Sequence, residues 1–395
     1  MPWQEQSIMS QRKEFVALAS VEGANIRDLC RRFGVCATTA YKWLGRHRQG
    51  QELEDRSRRP CSSPGQTTGK VESEVLAVRT QHPAWGGRKI RARMLAVGVR
   101  NVPAASTITA ILHRHGLIEQ AESIKHQPWR RFERSRPNEL WQMDFKGHVP
   151  MHRGGRCHPL TVLDDHSRFA VALRACSNER YETVRSEFVT IFRRYGLPEQ
   201  ILSDNGPPWG TPSADWGQTR LTLWMLRLGV RVIHGRPQHP QTQGKAERFH
   251  RTLVAELLSR RDLRDVIDAQ SSFDAWREMY NLERPSEALN NAIPASRYQP
   301  SEREYPERLP ALAFGPDDLV RSVRPDGMVR YASRLWYVSS ALAGEFAGLR
   351  PTKHDGVMLV CYGPHPIGRI DLHSPKHPPR GGPGRAALAP DHRGG

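Results

Sequence analysis

The first residues of the chain carry apolar side chains at helical spacing in three short segments. These are residues 7–20, residues 26–33, which Gly34 follows, and a segment that begins at Ala37. A short helix, a turn that contains glycine and a further helix form the pattern of a helix-turn-helix DNA-binding module. The sequence therefore predicts such a domain over residues 1–52.

A second group of three helical segments follows, at residues 71–81, 87–96 and 104–115. It predicts a second helix-turn-helix-like DNA-binding domain over residues 71–120. The intervening residues 53–70 are rich in Arg, Pro, Ser and Gly, a composition that cannot bury enough apolar surface to fold alone, so they are expected to be a linker. Residues 121–137 are predicted to be a second, basic linker.

The pattern changes from helical periodicity to strand runs near residue 139. Three apolar runs with turn signals between them predict an antiparallel meander, and alternating strands and helices follow it. The predicted strands are residues 140–149, 159–163, 169–175, 199–203 and 230–234, and the predicted helices are residues 179–195, 221–228, 243–261 and 272–282. This order predicts a mixed sheet flanked by helices, over residues 138–300.

The last part of the chain favours short strands separated by turns. Residues 311–373 are expected to form a small β-barrel, and the Pro-, Gly- and Arg-rich tail, residues 374–395, is expected to be disordered. The fold class predicted for the whole chain is multidomain α/β, with all-α modules before the mixed-sheet core.

The net positive charge of the chain indicates the kind of molecule that it binds. The formal net charge is +18 in 395 residues, and the isoelectric point is about 10.2. Lys and Arg that neutralise phosphates release condensed counterions, so a nucleic acid is the expected partner. The six cysteines form no CxxC pair, and no apolar stretch approaches the length of a membrane span, so we expect a cytoplasmic, nucleoid-associated protein with reduced thiols.

Three acidic residues stand in distinctive settings. Asp144 and Asp204 lie at the ends of apolar runs predicted to be strands, and Glu247 lies in the first turns of a predicted helix. A salt bridge, a turn and a solvated helix face are the alternative explanations for the three, taken one at a time. Together they predict a site for divalent metal, because two Mg²⁺ ions held by carboxylates activate an oxygen nucleophile and stabilise the leaving oxygen of a phosphodiester. Mn²⁺ is expected to substitute.

Other acids compete for these roles. Asp164 and Asp165 are adjacent at a predicted strand turn, where a turn-capping or supporting role is favoured. Glu256 lies nine residues after Glu247, about 180° around a helix, and so on the opposite face.

A set of motifs in residues 141–298 resembles the catalytic core of the DDE transposases and retroviral-type integrases, and in particular the bacterial insertion-sequence transposases. The motifs are WQMDF at 141–145, VLDDHSR at 162–168, SDNG at 203–206, HPQTQGKAERFHRTL at 239–253 and YNLERP at 280–285. The resemblance implies an RNase H-like fold in which Asp144 bridges two Mg²⁺ ions while Asp204 and Glu247 each hold one. The interval of 42 residues between Asp204 and Glu247 is longer than is usual in the family and indicates a loop insertion near residues 206–216.

Polar and basic residues near these elements are candidates for contact with DNA. His250 and Arg251 share the helix face of Glu247, where DNA contact, orientation of the glutamate and simple solvation are all open. The full candidate set is Thr38, Thr39, Lys42, Arg46, Arg48, Arg88, Lys89, Arg130, Arg131, His250 and Arg251.

The function expected from these observations is a DNA transposase or integrase. It would cleave element ends and join the 3′-hydroxyl to target double-stranded DNA, as a homo-oligomer assembled on the terminal inverted repeats. Two alternatives remain open: a non-catalytic helix-turn-helix regulator derived from a transposase, and an RNase H-like nuclease that only hydrolyses.

Overall fold

The computed structural model describes residues 7–55, 67–118, 133–204, 206–210, 218–234 and 244–373. The chain divides into two compact units, Met1–Gln66 and Thr67–Gly395. The predicted linker arginines Arg130 and Arg131, the tail and most of both linkers lie outside the described residues. None of the described helices has the length and apolar content needed to cross a bilayer.

The described residues of the first unit, 7–55, form three helices: α1 (Ile8–Ala19), α2 (Ile26–Phe33) and α3 (Ala37–Arg48). The Asn25 side chain accepts a hydrogen bond from the first turn of α2, and Gly34 ends that helix in the left-handed conformation, with φ +63°. The helices enclose one small core, made of Phe15, Val16, Ala19, Cys30, Ala40, Trp43 and Leu44. This unit is the predicted helix-turn-helix arrangement.

The second unit begins with three more helices: α4 (Gly69–Gln81), α5 (Gly87–Ala96) and α6 (Ala105–Arg114). Gly87 is required where α5 meets α6, because a Cβ atom there would lie 2.4 Å from the carbonyl oxygen of Ala105. The core of these helices also receives Met279 from the helix α10 (Val266–Leu282), so they pack against the domain that follows.

That domain is built on one mixed sheet. Its strands are β1 (Leu140–Phe145), β2 (Val149–Pro150), β3 (Arg156–Asp164), β4 (Ala170–Cys176), β5 (Gln200–Ser203) and β6 (Arg231–His234). Antiparallel pairs join β4 to β3 and β3 to β1, and parallel pairs join β1 to β5 and β5 to β6. This topology is the predicted RNase H-like mixed sheet.

Helices cover both faces of the sheet. Trp141 and Met143 of β1 pack on the face covered by α7 (Tyr181–Tyr195) and α8 (Arg220–Arg227). The opposite face packs against α10 and α9 (Gly244–Leu253), which contributes Phe249 and Leu253. Since side chains alternate along a strand, Asp144 points away from the α7 side and toward α9.

Two helix boundaries differ from the sequence-based prediction. The helix expected over residues 243–261 changes at Val254–Leu258 into a π-helical turn, and α10 begins at Val266 rather than at residue 272. Asp265 caps α10 by accepting a hydrogen bond from the backbone N–H of Asp268, a local signal that the apolar periodicity alone does not reveal.

The region predicted to be a small β-barrel consists of two small antiparallel sheets around one core. The first sheet contains β7 (Leu319–Ser322), β10 (Phe346–Pro351), β11 (Val357–Tyr362) and β12 (His365–Asp371), and the second contains β8 (Met328–Tyr331) and β9 (Arg334–Tyr337). Val329, Trp336 and Leu349 meet in the core, which also includes Leu223 of α8. This region therefore packs on the mixed-sheet domain.

Candidate active site

The ends of two neighbouring strands bring Asp144 and Asp204 together. β1 and β5 are parallel, and Gln142 pairs with Leu202. Asp144 and Asp204 each lie two residues beyond that pair, so they occupy matching positions where the two strands end. The carboxyl ends of adjacent parallel strands are the usual place for a site in such sheets.

Asp144 has an unusual environment for a carboxylate. Its side chain is 23% exposed, and burial, together with the nearby charges of Asp204, Glu179 and Glu247, raises its pKa from 3.8 to about 6. Within the described part of the chain, its one ion-pair contact is with His250, whose Nδ1 lies 3.8 Å from Oδ2. A partly buried carboxylate with other acids around it is costly unless a cation accompanies it.

Asp204 and Glu247 are exposed at the same end of the sheet. Asp204 Oδ1 accepts a hydrogen bond of 3.2 Å from the backbone N–H of Gly206, and its backbone oxygen lies 2.9 Å from Nδ1 of His234. Glu247 lies in the first turn of α9, whose buried residues Ala246, Phe249 and Leu253 hold the helix on the sheet. The charge of Glu247 also acts on Asp144.

The donor chemistry of these residues fits a hard divalent cation. Mg²⁺ prefers carboxylate oxygens, and Asp144 is a desolvated carboxylate that lacks a Lys or Arg partner among the described residues. However, no group of three or more His, Cys, Asp or Glu side chains in the described ranges is arranged to hold a metal ion. The three carboxylates thus lie near one another without forming a closed metal cage.

His250 is buried, with 7% of its surface exposed, which disfavours the alternative of simple solvation, and its contact with DNA stays a prediction. The Thr161 hydroxyl donates to the backbone oxygen of Asp144 at 2.9 Å and also lies 2.8 Å from Nε2 of His250. Because the hydroxyl has one proton, Nε2 of His250 is the donor in the second contact. Burial, and to a lesser extent Lys146, lowers the pKa of His250 to about 4, so the ring is neutral near neutral pH.

The competing acids have partners elsewhere. Asp164 accepts hydrogen bonds from Asn138 N at 2.8 Å and from both the backbone N–H and the hydroxyl of Ser167, at 2.8 and 2.6 Å. Glu256 pairs with Arg284 at 2.9 Å, away from the face of Glu247. The contacts of Asp164 are those of a turn-capping residue, and Glu256 has its partner outside the face of Glu247.

Gln142 and Lys245 lie in the motifs around Asp144 and Glu247, and the sequence analysis predicted no role for either residue. Gln142 donates to Asp165 Oδ1 at 2.8 Å, and the Lys245 ammonium forms an ion pair with the same oxygen. The only signal in the sequence was their position, two residues before Asp144 and two before Glu247.

The candidate DNA-binding residues of the first unit lie on α3. Thr38, Lys42 and Arg48 are exposed, and Thr39 is half-buried, with its hydroxyl 3.2 Å from Cys36 Sγ. Arg46 stacks on Trp43 at 4.8 Å and donates to the backbone oxygen of Glu54 at 2.8 Å. Lys42 Nζ lies 4.7 Å from the centre of the Trp43 ring, so the exposed candidates of α3 include one that already has an aromatic contact.

The two candidates on α5 are Arg88 and Lys89, and this helix lies near acidic residues of the mixed-sheet domain. Arg88 lies 3.7 Å from Glu287, and Arg93 donates to Glu283 at 2.8 Å. Burial, and then the charge of Arg284, lowers the pKa of Lys89 to about 8. Their contact with DNA stays a prediction, and these placements do not support it. Arg251 is exposed on α9.

Family models match most of this architecture. Residues 134–240 and 228–294 match two models described as an integrase core domain, residues 11–60 match a helix-turn-helix domain, and residues 39–112 match a homeodomain-like domain. All three acidic candidates lie inside the integrase core matches.

Among curated relatives, an uncharacterized 31.7 kDa protein of insertion element IS407 from Burkholderia multivorans is 27% identical over 159 residues, covering 40% of this chain and 54% of that protein. The Gag-Pol polyprotein of baboon endogenous virus is 27% identical over 225 residues, covering 54% of this chain and 12% of the polyprotein. The chain thus spans about half of the first and a small part of the second.

Two solved structures are similar to part of the chain. The catalytic core of BIV integrase matches with a TM-score of 0.31 and 22% identity, over 40% of this chain and 92% of that chain. The catalytic core of HTLV-2 integrase in complex with magnesium matches with a TM-score of 0.32 and 16% identity, over 41% of this chain and 97% of that chain.

Proposed function

We propose that this chain, which belongs to the superfamily of DDE transposases and retroviral-type integrases, is a DNA transposase. It cleaves the ends of a mobile element and joins the freed 3′-hydroxyl to target DNA. The observation that carries the proposal is the paired placement of Asp144 and Asp204 at the ends of β1 and β5, with the charge of Glu247 acting on Asp144.

Asp144, Asp204 and Glu247 are the residues that would hold Mg²⁺, or Mn²⁺ in its place. Two bound ions would supply an activated oxygen nucleophile and stabilise the leaving 3′-oxygen. Burial and the absence of a Lys or Arg partner among the described residues leave Asp144 ready for a cation, and neutral His250 adds no competing charge beside it.

The helical domains would bring the DNA. The exposed Thr38, Lys42 and Arg48 of α3 would contact the terminal inverted repeats, and the net charge of +18 supports binding to phosphates. Each chain has one set of three acids, whereas two element ends must be joined to one target. A homo-oligomer assembled on DNA, with two-fold symmetry matched to two inverted ends, would satisfy this need.

The test is DNA cleavage and strand transfer by the full chain on its element-end DNA. Asp204→Asn and Glu247→Gln preserve side-chain shape but remove a charge that would bind metal, so each should abolish both reactions while DNA affinity stays nearly intact. Activity should require Mg²⁺ or Mn²⁺ and disappear with chelator. Asp274→Asn, at an exposed acid on α10, is the matched control and should cleave normally.

Near-normal cleavage by Asp204→Asn would refute the assignment of the three acids. Cleavage without any joining would favour the purely hydrolytic alternative.

A further inference from the structure

Asp165 is a buried carboxylate in the turn between β3 and β4, with 4% of its surface exposed. Its oxygens accept from three parts of the domain that are distant in sequence. Oδ1 accepts from Gln142 Nε2 at 2.8 Å and forms an ion pair with the Lys245 ammonium, and Oδ2 accepts from the backbone N–H of Arg134 at 2.9 Å.

The positions of the two side-chain partners are informative. Gln142 lies on β1, two residues before Asp144 and on the same face of the strand. Lys245 lies in the first turn of α9, two residues before Glu247. A single carboxylate oxygen therefore connects the strand that bears one acidic candidate with the helix that bears another.

The neighbouring Asp164 shows that this arrangement is not a general property of the turn. Asp164 is equally buried, but its partners are Ser167, in the same turn, and the backbone of Asn138. Among the described residues, its carboxylate has no hydrogen bond to α9 or to a side chain of β1. Two adjacent acids thus have different partners: Asp164 closes the turn, and Asp165 connects two elements that carry the site.

The contact is also held away from water. The Lys245 side chain is 20% exposed and that of Asp165 is 6% exposed. A buried charge pair with additional hydrogen bonds is specific in geometry, and removal of one member leaves the other charge without its partner. Lys245 further reaches the backbone oxygen of Asp165 at 3.4 Å, so it spans the turn as well as the side chain.

We propose that Asp165 is a positioning residue, which through Gln142 and Lys245 sets the distance between Asp144 and Glu247. The inference rests on the proposed function, since it assigns those two residues to metal binding. Loss of the Asp165 contact would let the start of α9 move relative to the end of β1 and would weaken metal binding without removal of any ligand. Supporting residues of metal sites commonly change metal affinity about 10- to 100-fold.

The experiment compares Asp165→Asn, Lys245→Gln and the double variant with Asp164→Asn as the matched control. Binding of Mn²⁺ to the full chain is measured by electron paramagnetic resonance without DNA, and thermal melting is followed in parallel. Asp165→Asn and Lys245→Gln should each weaken Mn²⁺ binding by about 10-fold or more. The double variant should bind Mn²⁺ about as tightly as each single variant, because each substitution removes the same contact.

Asp164→Asn separates positioning from simple loss of stability. It should lower the melting temperature while Mn²⁺ affinity stays at the wild-type value. If Asp165→Asn does not fold, Lys245→Gln still decides, since its side chain lies at the edge of the site rather than within the sheet. Unchanged Mn²⁺ affinity in Lys245→Gln, or additive losses in the double variant, would overturn the inference.

The metal measurement also separates this inference from the proposed function. Mn²⁺ binding that depends on Asp165 and Lys245, in a protein that cleaves no DNA, would support the positioning role and contradict the transposase activity.

Discussion

The ends of β1 and β5 and the turn between β3 and β4 each place two acidic residues close together in the same sheet. In the turn, Asp164 and Asp165 are both buried, and each carboxylate accepts three hydrogen bonds or ion-pair contacts from the protein. At the strand ends, Asp144 is partly buried beside Asp204, and among the described residues its one ion-pair contact is with a neutral histidine.

This difference distinguishes acidic residues that stabilise the fold from acidic residues that are candidates for a functional site. Burial raises the pKa of Asp164 as well, but hydrogen bonds from Ser167 and Asn138 act in the opposite direction. At Asp144 the second largest influence is the negative charge of Asp204, which adds to the effect of burial. The turn therefore offsets part of the cost of burying Asp164 with its own donors, whereas at Asp144 a neighbouring negative charge adds to that cost.

The largest expected effect is that of Asp144→Asn. It should abolish DNA cleavage and, in chelator, raise the melting temperature, because an isosteric neutral amide removes a desolvated charge that lies beside two other acids. The gain above pH 6 should be on the order of 1 to 3 kcal/mol, from about 1.4 kcal/mol per pKa unit. Thermal melting by circular dichroism measures it.

The pH dependence of the stability gained in Asp144→Asn tests whether burial of the charge is its cause. Asp144 binds a proton more tightly in the folded state, so the folded protein takes up more protons between about pH 4 and pH 6, and wild-type stability falls as pH rises through this window. The advantage of Asp144→Asn should therefore grow from pH 4 to pH 6 and stay constant above it. A gain that is already complete at pH 4 would contradict the assignment of burial as the cause.

Asp164→Asn should lower the stability of the protein, whereas Asp144→Asn should raise it. The amide nitrogen of asparagine cannot accept the hydrogen bonds that the carboxylate oxygen accepts. At least one buried N–H or O–H group therefore loses its partner. The expected cost is about 1 to 3 kcal/mol of unfolding free energy. Urea unfolding near neutral pH measures it, and a variant as stable as the wild type would remove the contrast between the two acid pairs.

The smallest effect is expected for Thr161→Val, which tests the support beneath Asp144. Valine keeps the shape but removes the hydroxyl that lies between the Asp144 backbone and His250. We expect a loss of about 1 kcal/mol in stability. Cleavage should persist at a reduced rate, in contrast to Asp144→Asn. Complete loss of cleavage with normal stability would instead place Thr161 in the reaction itself.

Much of the fold was predictable because its signals are local. Apolar spacing, glycine stops and turn residues predicted α2, α5 and most of the strands within a few residues. The pairing of Asp144 with Asp204 was also foreseeable, since both follow apolar runs that end at one edge of a sheet. Their roles in metal binding stay predictions.

Other features depend on contacts between segments that are far apart in sequence. The helical period places His250 on the face of Glu247, but the packing of α9 on the sheet buries it beside Thr161. Similarly, Arg88 and Lys89 have the composition of a DNA-binding helix, and they lie near the acidic Glu287. A basic side chain looks the same in a sequence whether its partner is a phosphate or a carboxylate of the same chain.

The sequence alone thus determined the order of helices and strands and the identity of the three acidic candidates, because periodicity and motifs are encoded by neighbouring residues. Only the tertiary structure decided which acids have partners. Asp165 meets Gln142 and Lys245 across 23 and 80 residues of chain, and Asp144 meets no such donor. That outcome depends on how α9 packs against the sheet, and burial then sets the energetic cost of each charge.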